Sequence, residues 1–332
     1  MKTEFDPPVF VVGSSRSGTT LLYSILQSSG EFALYQAETL LLEVCQAKYG
    51  NLKNRKTYER FINDWIKSKQ FYRSGLDPNE FIWGAKDHHE TYIEFMRYFM
   101  ECIARKQGKK RWAEQTPGHI MNMKALSQAF PGAKFIHVIR DGRDVALSRR
   151  KLGWTGTRSL DSLKNLISAA KSWEIAVKTG QTYGKALGNN YLEIFYEDLI
   201  NNLDIVLEKI SVFMGIEMNR AMIENSTIGS LGKSNTAFHH ETAGISAKSL
   251  GRWRDQLTDE EIFILHSAIG KTLAQLGYGI DSSVIKPNNK CITWKTGFYL
   301  KLCPVILSIR RFLRNRTLLG RWTSSNIEIG LR

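Results

Sequence analysis

The chain has 332 residues, of which 42% are hydrophobic, 11% aromatic and 23% charged, enough apolar side chain for a large core and too much for intrinsic disorder. With 26 Gly, 7 Pro and no short period, collagen, coiled-coil and low-complexity architectures are excluded. Lys and Arg total 46 against 32 Asp and Glu, a formal charge of +14, which favours an anionic ligand, nucleic acid or an acidic membrane. Distribution decides between these, because residues 290–332 hold nine basic residues and one acid, Glu328. Less than half of the excess is left for the rest of the chain, as in an enzyme with an anionic cofactor and unlike a nucleic-acid-coating surface.

Cys45, Cys102, Cys291 and Cys303 have no metal-ligand spacing and are too few for a disulfide framework, so a reducing, cytoplasmic setting is expected. Residues 1–8 carry Glu4, Asp6 and two prolines where a secretory signal needs a basic and then an apolar run, and no signal is predicted. The most apolar late segment, Phe298 to Ile309, is broken by Lys301 and Pro304. It is shorter than the ~20 residues that span a bilayer, and no transmembrane helix is predicted.

In chain order, Pro8 to Val12 is a continuous apolar run ending at Gly13, the signature of a strand buried on both faces of a parallel sheet. Leu21, Leu22, Ile25 and Leu26 then share a helical face that Gly30 closes. Residues 40–110 are aromatic, helical in pattern and without strand signals, an insertion over the carboxyl edge of the sheet, where α/β folds place ligands. Its aromatic stripe (Trp65, Phe71, Tyr72, Phe81, Trp83, Tyr92, Phe95, Phe99) reads first as core and second as an acceptor pocket lining. Arg111 to Glu114, Lys134 to Ile139 and Tyr191 to Phe195 read as further strands. Helical periodicity follows from Leu163 to Val177 and from Leu203 to Met214. Thr258 and Glu261 have capping-box spacing before a helix that Gly277 stops. Asp281 to Asn289 is the linker candidate. The predicted fold is therefore α/β, a P-loop-like three-layer architecture with a central parallel sheet. Residues 1–283 form the catalytic domain, and residues 284–332 a linker and basic tail.

The first strand runs into Gly13-Ser14-Ser15-Arg16-Ser17-Gly18-Thr19-Thr20, with two glycines at P-loop spacing. Glycines allow close backbone approach, and successive N–H groups with a helix N-terminus make a phosphate cradle. A Walker loop would place Lys at Thr19 and an acid at the end of a neighbouring strand to hold Mg²⁺; here Lys134 to Ile139 runs into Arg140. A second segment, Arg140 to Ser148, sets an arginine fork at a strand end and a hydroxyl about two helical turns on, suited to one more anionic group. Read alone, it is equally an exposed turn with Arg143 and Asp144 paired.

Together, Gly13 to Leu22 resembles the 5′-phosphosulfate loop of the sulfotransferases that use PAPS (3′-phosphoadenosine 5′-phosphosulfate). Phe135 to Ser148 resembles their 3′-phosphate segment. Arg111 to Pro117, Phe130 to Lys134, Tyr196 to Leu199 and Gly251 to Leu257 keep the family order, so the resemblance spans roughly residues 8–280. It implies in-line transfer of a sulfuryl group from PAPS to an acceptor hydroxyl, without metal, leaving PAP. By the same resemblance Arg16, Ser17, Gly18, Thr19 and Thr20 hold the 5′-phosphosulfate, and Arg140 and Ser148 the 3′-phosphate. Tyr196 stands on the adenine side, and Arg252, with Lys248 as a nearby substitute, makes a late contact to the 3′-phosphate.

Sulfotransferase branches differ in where the base sits. Glu38 looks like the catalytic glutamate of the tyrosylprotein branch and is favoured, while as an ordinary acid it suits a first helical turn before Leu40. Glu114 and His119 are the runners-up, and His88 and His89 read as surface residues. Many relatives carry Lys where this chain has Gln115, which puts more of the charge neutralisation on Arg16. The acceptor is open among sugar, lipid, phenol and small metabolite. A P-loop kinase or NTPase, and a noncatalytic PAP-binding, membrane-associated protein, are the rival readings. A helix from Pro304 would group Val305, Ile306, Ile309, Phe312 and Leu313, so the tail is either a peripheral contact with an anionic membrane or a helix packed on the domain.

Overall fold

Four short strands pair in parallel in the order β2-β1-β3-β4. They are β1 (Val9–Gly13), β2 (Ala113–Glu114), β3 (Lys134–Ile139) and β4 (Tyr191–Phe195). The computed structural model describes residues 4–86, 90–154, 161–226, 228, 247–280 and 290–316. His88, His89, the expected linker at 281–289 and the tail beyond 316 lie outside the described residues. Register is set by Val9 opposite both Ala113 and Lys134, and by Ile139 opposite Phe195. Strand side chains alternate between faces: Phe10, Val12 and Phe135 face one helical layer, and Val9, Val11, Ile136 and Val138 the other. That two-sided burial is why the strands read as unbroken apolar runs and not as alternating ones.

The helices in chain order are α1 (Thr19–Ser28), α2 (Gln46–Tyr49), α3 (Arg55–Trp65), α4 (Lys69–Ser74), α5 (Pro78–Ala85) and α6 (Tyr92–Lys106). There follow α7 (Met123–Ala129), α8 (Gly142–Lys151), α9 (Ser162–Leu187), α10 (Tyr196–Asn201), α11 (Leu203–Met214) and α12 (Arg220–Glu224). The series ends with α13 (Trp253–Gln256), α14 (Asp259–Gln275) and α15 (Lys290–Arg316). Both halves of the capping box expected before α14 are present, with Thr258 accepting from Glu261 N–H and Glu261 reaching back. α1 and α11 cover one face of the sheet. The insertion covers the other, and its aromatic residues meet mostly edge-on, Phe61 on Phe95 at 4.8 Å and Trp65 on Phe99 at 5.3 Å between ring centroids.

The aromatic stripe is core, as its first reading has it: Trp65, Phe71, Phe81, Tyr92, Phe95 and Phe99 are buried in the cluster that packs on the sheet, while Trp83 and Tyr72 face solvent. One expectation is corrected. The C-terminal helix starts at Lys290 and passes through Pro304 instead of starting there. The lost N–H bond at Pro304 is offset by packing, since Cys303 is fully buried against Ile167 of α9 and Ile264 of α14. Val305, Ile309 and Phe312 are exposed, whereas Ile306 and Leu313 are half-buried. Among the described residues no helix is long and apolar enough to cross a membrane.

Candidate active site

The loop between β1 and α1 is shaped by backbone rather than side chain. Gly18 has φ +92°, and a Cβ there would come within 2.2 Å of the Tyr196 ring. Glycine is thus required twice, for the left-handed conformation and for the ring that leans on it. Arg16 also takes a positive φ of 77°, which is uncommon for a residue with a side chain and is concentrated at ligand sites. No side chain caps α1, so its first-turn N–H groups form an anion cradle. Ser17 Oγ is buried and has no hydrogen-bond partner in the protein. We expect Gly18→Ala to destabilise the fold by about 1–3 kcal/mol from the backbone conformation alone and to displace Tyr196; urea unfolding checks it, and an unchanged midpoint would refute the close packing.

The two anion segments converge because β1 and β3 are neighbours whose carboxyl ends lie side by side. Arg16 Nε donates to Ser148 Oγ at 3.0 Å, and Arg140 Nη1 donates to the Arg16 carbonyl at 3.1 Å. The Arg140 guanidinium lies 4.5 Å from the centre of the Tyr196 ring, so Tyr196 fills the space between Gly18 and Arg140. Arg140 Nε is buried without a protein partner. Buried donors left unpaired are costly, and each of the two anion segments leaves one, the Ser17 hydroxyl and the Arg140 Nε–H, as donors to a phosphorylated ligand would.

A late segment closes over Arg140. Ser249 accepts from Arg140 through its carbonyl and pairs its hydroxyl with Tyr196 Oη at 2.7 Å. It is held there by Asp144 of α8, which accepts from Gly251 N–H at 2.7 Å and Trp253 N–H at 3.0 Å. Asp144 is therefore not the partner of Arg143, contrary to the turn reading. Arg143 instead forks onto Asp141 at 2.8 Å and stacks on Trp253 at 3.8 Å, because adjacent helical residues point apart. Lys248 is exposed in a short turn beside Ser249, and Arg252 directly precedes α13, so both stand on the strap that crosses Arg140.

A cavity of about 320 Å³ opens beside the loop, lined by Arg16, Thr19 and Thr20 on one side and by Glu38, Gln115 and Trp154 on the other. Glu38 is partly buried. Burial and the nearby carboxylates of Glu114 and Glu43 push its pKa up to about 7, against the opposing pull of a Gln115 hydrogen bond and of His119. Gln115 Nε2 also donates to Thr19 Oγ1 at 3.2 Å, so one amide links the phosphate loop to the carboxylate. Such a carboxylate is poised to exchange a proton near neutrality.

Glu114 and His119 lie behind this cavity, wholly buried. His119 stands between Glu43 Oε1 at 2.8 Å and Glu114 Oε2 at 3.0 Å. Burial alone would lower its pKa, but the two carboxylates reverse this and hold it well above the usual histidine value. Glu114, which burial would raise, is kept below the usual carboxylate value by His119 and by the Thr116 and Thr39 hydroxyls. Both ring nitrogens of His119 face carboxylates, and the ring does not line the cavity that holds Glu38. Glu43 was missed by sequence reasoning: it sits in a five-residue π-helical turn, Leu41–Cys45, entered through Leu40 at φ +54°. π turns carry no sequence signature and turn an extra side chain inward.

Among the described residues no three His, Cys, Asp or Glu side chains are grouped to hold a metal ion. β3 ends at Ile139 and runs into Arg140, where a Walker-type enzyme would need an acid.

The chain is 22% identical over 296 residues to a putative protein-tyrosine sulfotransferase of Caenorhabditis briggsae, covering 87% of this chain and 94% of that one. It is 29% identical over 178 residues to carbohydrate sulfotransferase 1 of Rattus norvegicus, covering 48% and 42%. In fold it is similar to the sulfotransferase domain from the curacin biosynthetic pathway, with a TM-score of 0.59 and 19% identity over 83% of this chain and 99% of that one. The sulfotransferase domain of the Synechococcus PCC 7002 olefin synthase gives a TM-score of 0.55 at 19% identity, over 81% and 95%. Residues 7–220 match the Sulfotransferase family, and the chain belongs to that family.

Proposed function

We propose that this sulfotransferase takes its sulfuryl group from PAPS and delivers it to an acceptor hydroxyl without a metal, with Glu38 removing the acceptor's proton. The observation that carries the reading is the shared cavity: Glu38 and the loop residues Arg16, Thr19 and Thr20 line one space, bridged by Gln115. Bound PAPS would supply an activated sulfuryl group on a phosphate leaving group. Arg16, the loop N–H groups and the hydroxyls of Ser17, Thr19 and Thr20 orient the anion and spread its charge. Arg140 and Ser148 hold the 3′-phosphate, the strap carrying Lys248 and Arg252 lies over it, and Tyr196 stands on the adenine side. Gln115 donates a neutral hydrogen bond where many relatives present a cation, leaving Arg16 as the charged donor of the loop.

Calorimetry tests the nucleotide assignment. PAP is expected to bind at least tenfold more tightly than AMP, since charge-assisted hydrogen bonds contribute about 1.5–3 kcal/mol each. Transfer should persist in EDTA. Equal affinity for the two nucleotides would overturn the role given to Arg140 and Ser148. On the acceptor side, a base with a pKa of about 7 is better matched to a phenol, ionising near pH 10, than to an aliphatic alcohol. Relatives named for protein tyrosine point the same way. A panel of tyrosine peptides, sugars and lipids with radiolabelled PAPS decides the class; label confined to sugars or lipids would exclude the phenol.

A further inference from the structure

The long C-terminal helix α15 has two apolar faces, and the fold uses one. Cys303, Leu300 and Leu307 pack on α9 and α14. On the opposite side Trp294, Phe298, Leu302, Val305, Ile309 and Phe312 are all solvent-exposed, from 38% at Leu302 to 71% at Trp294. Their spacing keeps them within an arc of about 80° at 100° per residue, along about 27 Å of helix. Trp294 and Phe298 stack at 6.3 Å between ring centroids, so the stripe is continuous and not scattered. An apolar strip of this size on a soluble surface marks an interaction site.

We propose that this stripe rests on an anionic lipid bilayer, with α15 lying in the plane of the headgroups. Charge selects this occupant. Residues 290–316 contain seven Lys and Arg and no Asp or Glu, so two copies meeting through the stripe would bring like charges together, whereas anionic headgroups complement them. Lys301 is exposed on the same side, where its stem can bury while its ammonium reaches the headgroups. The opposite face is committed to the domain and the helix is not apolar enough to span a membrane, which leaves the interfacial orientation. The indole and phenyl rings suit the headgroup boundary. This inference is independent of the chemistry proposed above.

The test is co-sedimentation of the full chain with vesicles of phosphatidylcholine alone or with added phosphatidylglycerol. The partition coefficient is expected to be at least tenfold higher on the anionic vesicles and to fall with salt. The triple substitution Trp294→Ser, Phe298→Ser and Phe312→Ser, on exposed positions, should lower it at least tenfold while leaving the melting curve and PAP binding unchanged. Ile309→Ser is the milder variant should the triple one fail to fold, and it should weaken binding several-fold. Equal binding to the two vesicle types, or variants that bind like the parent, would overturn the proposal. So would a salt-insensitive dimer that the same substitutions dissociate, with no vesicle binding by the parent.

Discussion

Replacing Glu38 with Gln is expected to lower kcat by about 10²- to 10⁴-fold, the usual loss when a general base is removed, and to leave PAP affinity nearly unchanged. The pH profile carries the sharper test. The proposed base works only when deprotonated, and its pKa is pushed up to about 7. The parent rate should therefore rise with pH and level off above that value, whereas the residual rate of the variant should lose this limb. Steady-state kinetics across pH measures both. A variant that keeps the parent rate and the parent limb would remove Glu38 from the mechanism and return attention to Glu114 and His119.

His119→Ala should act on stability before chemistry. The substitution leaves Glu114 and Glu43 facing each other with no cation between them, and removing one partner of a buried ionic cluster costs about 3–5 kcal/mol. His119 is raised above its ordinary 6.5, so its contribution is complete below that pH and is lost as pH climbs through the folded value. Glu114 is lowered below 4.5, so its contribution is complete above that pH and is lost as pH falls through its folded value. The gap between parent and variant should thus be widest between about pH 4.5 and 6.5 and narrow on either side. Urea unfolding across this range measures it. A gap under about 1 kcal/mol throughout would mean that the imidazole is neutral and the cluster weak.

The phosphate loop was legible because everything it needs is local: a buried strand, two glycines at a fixed interval and a helix with no cap fall within twenty consecutive residues. The strand at Lys134–Ile139 is equally plain, being a run buried on both faces, and Tyr191–Phe195 shows as a strand although at the sheet edge only Ile194 is fully buried. The sequence reads β2 as four residues from Arg111, and it pairs over two, Ala113–Glu114, because its partner β1 begins at Val9, opposite Ala113. What the sequence hid depends on distant partners. Glu43 reaches His119 only because a π turn forms against that buried histidine. Ser249 joins the Arg140 site only because Asp144, more than a hundred residues earlier, ties down Gly251 and Trp253. Pro304 looked like a helix start, and the packing of Cys303 overrode that local rule.

The strand order has a consequence for how the chain is made. β1 is central, yet it lies at the start of the chain and pairs with residues 113–114 and 134–138. Its two ladders close loops of more than a hundred residues, so folding is governed by non-local contacts and should be slow. At synthesis rates of about 5–20 residues per second, the strand waits roughly 6–25 s for β3 to be polymerised. Through that interval Val9 to Val12, wholly buried in the finished molecule, has no sheet to enter. Its sequestration must be provided from outside the sheet, by the α1 segment that follows it or by a chaperone.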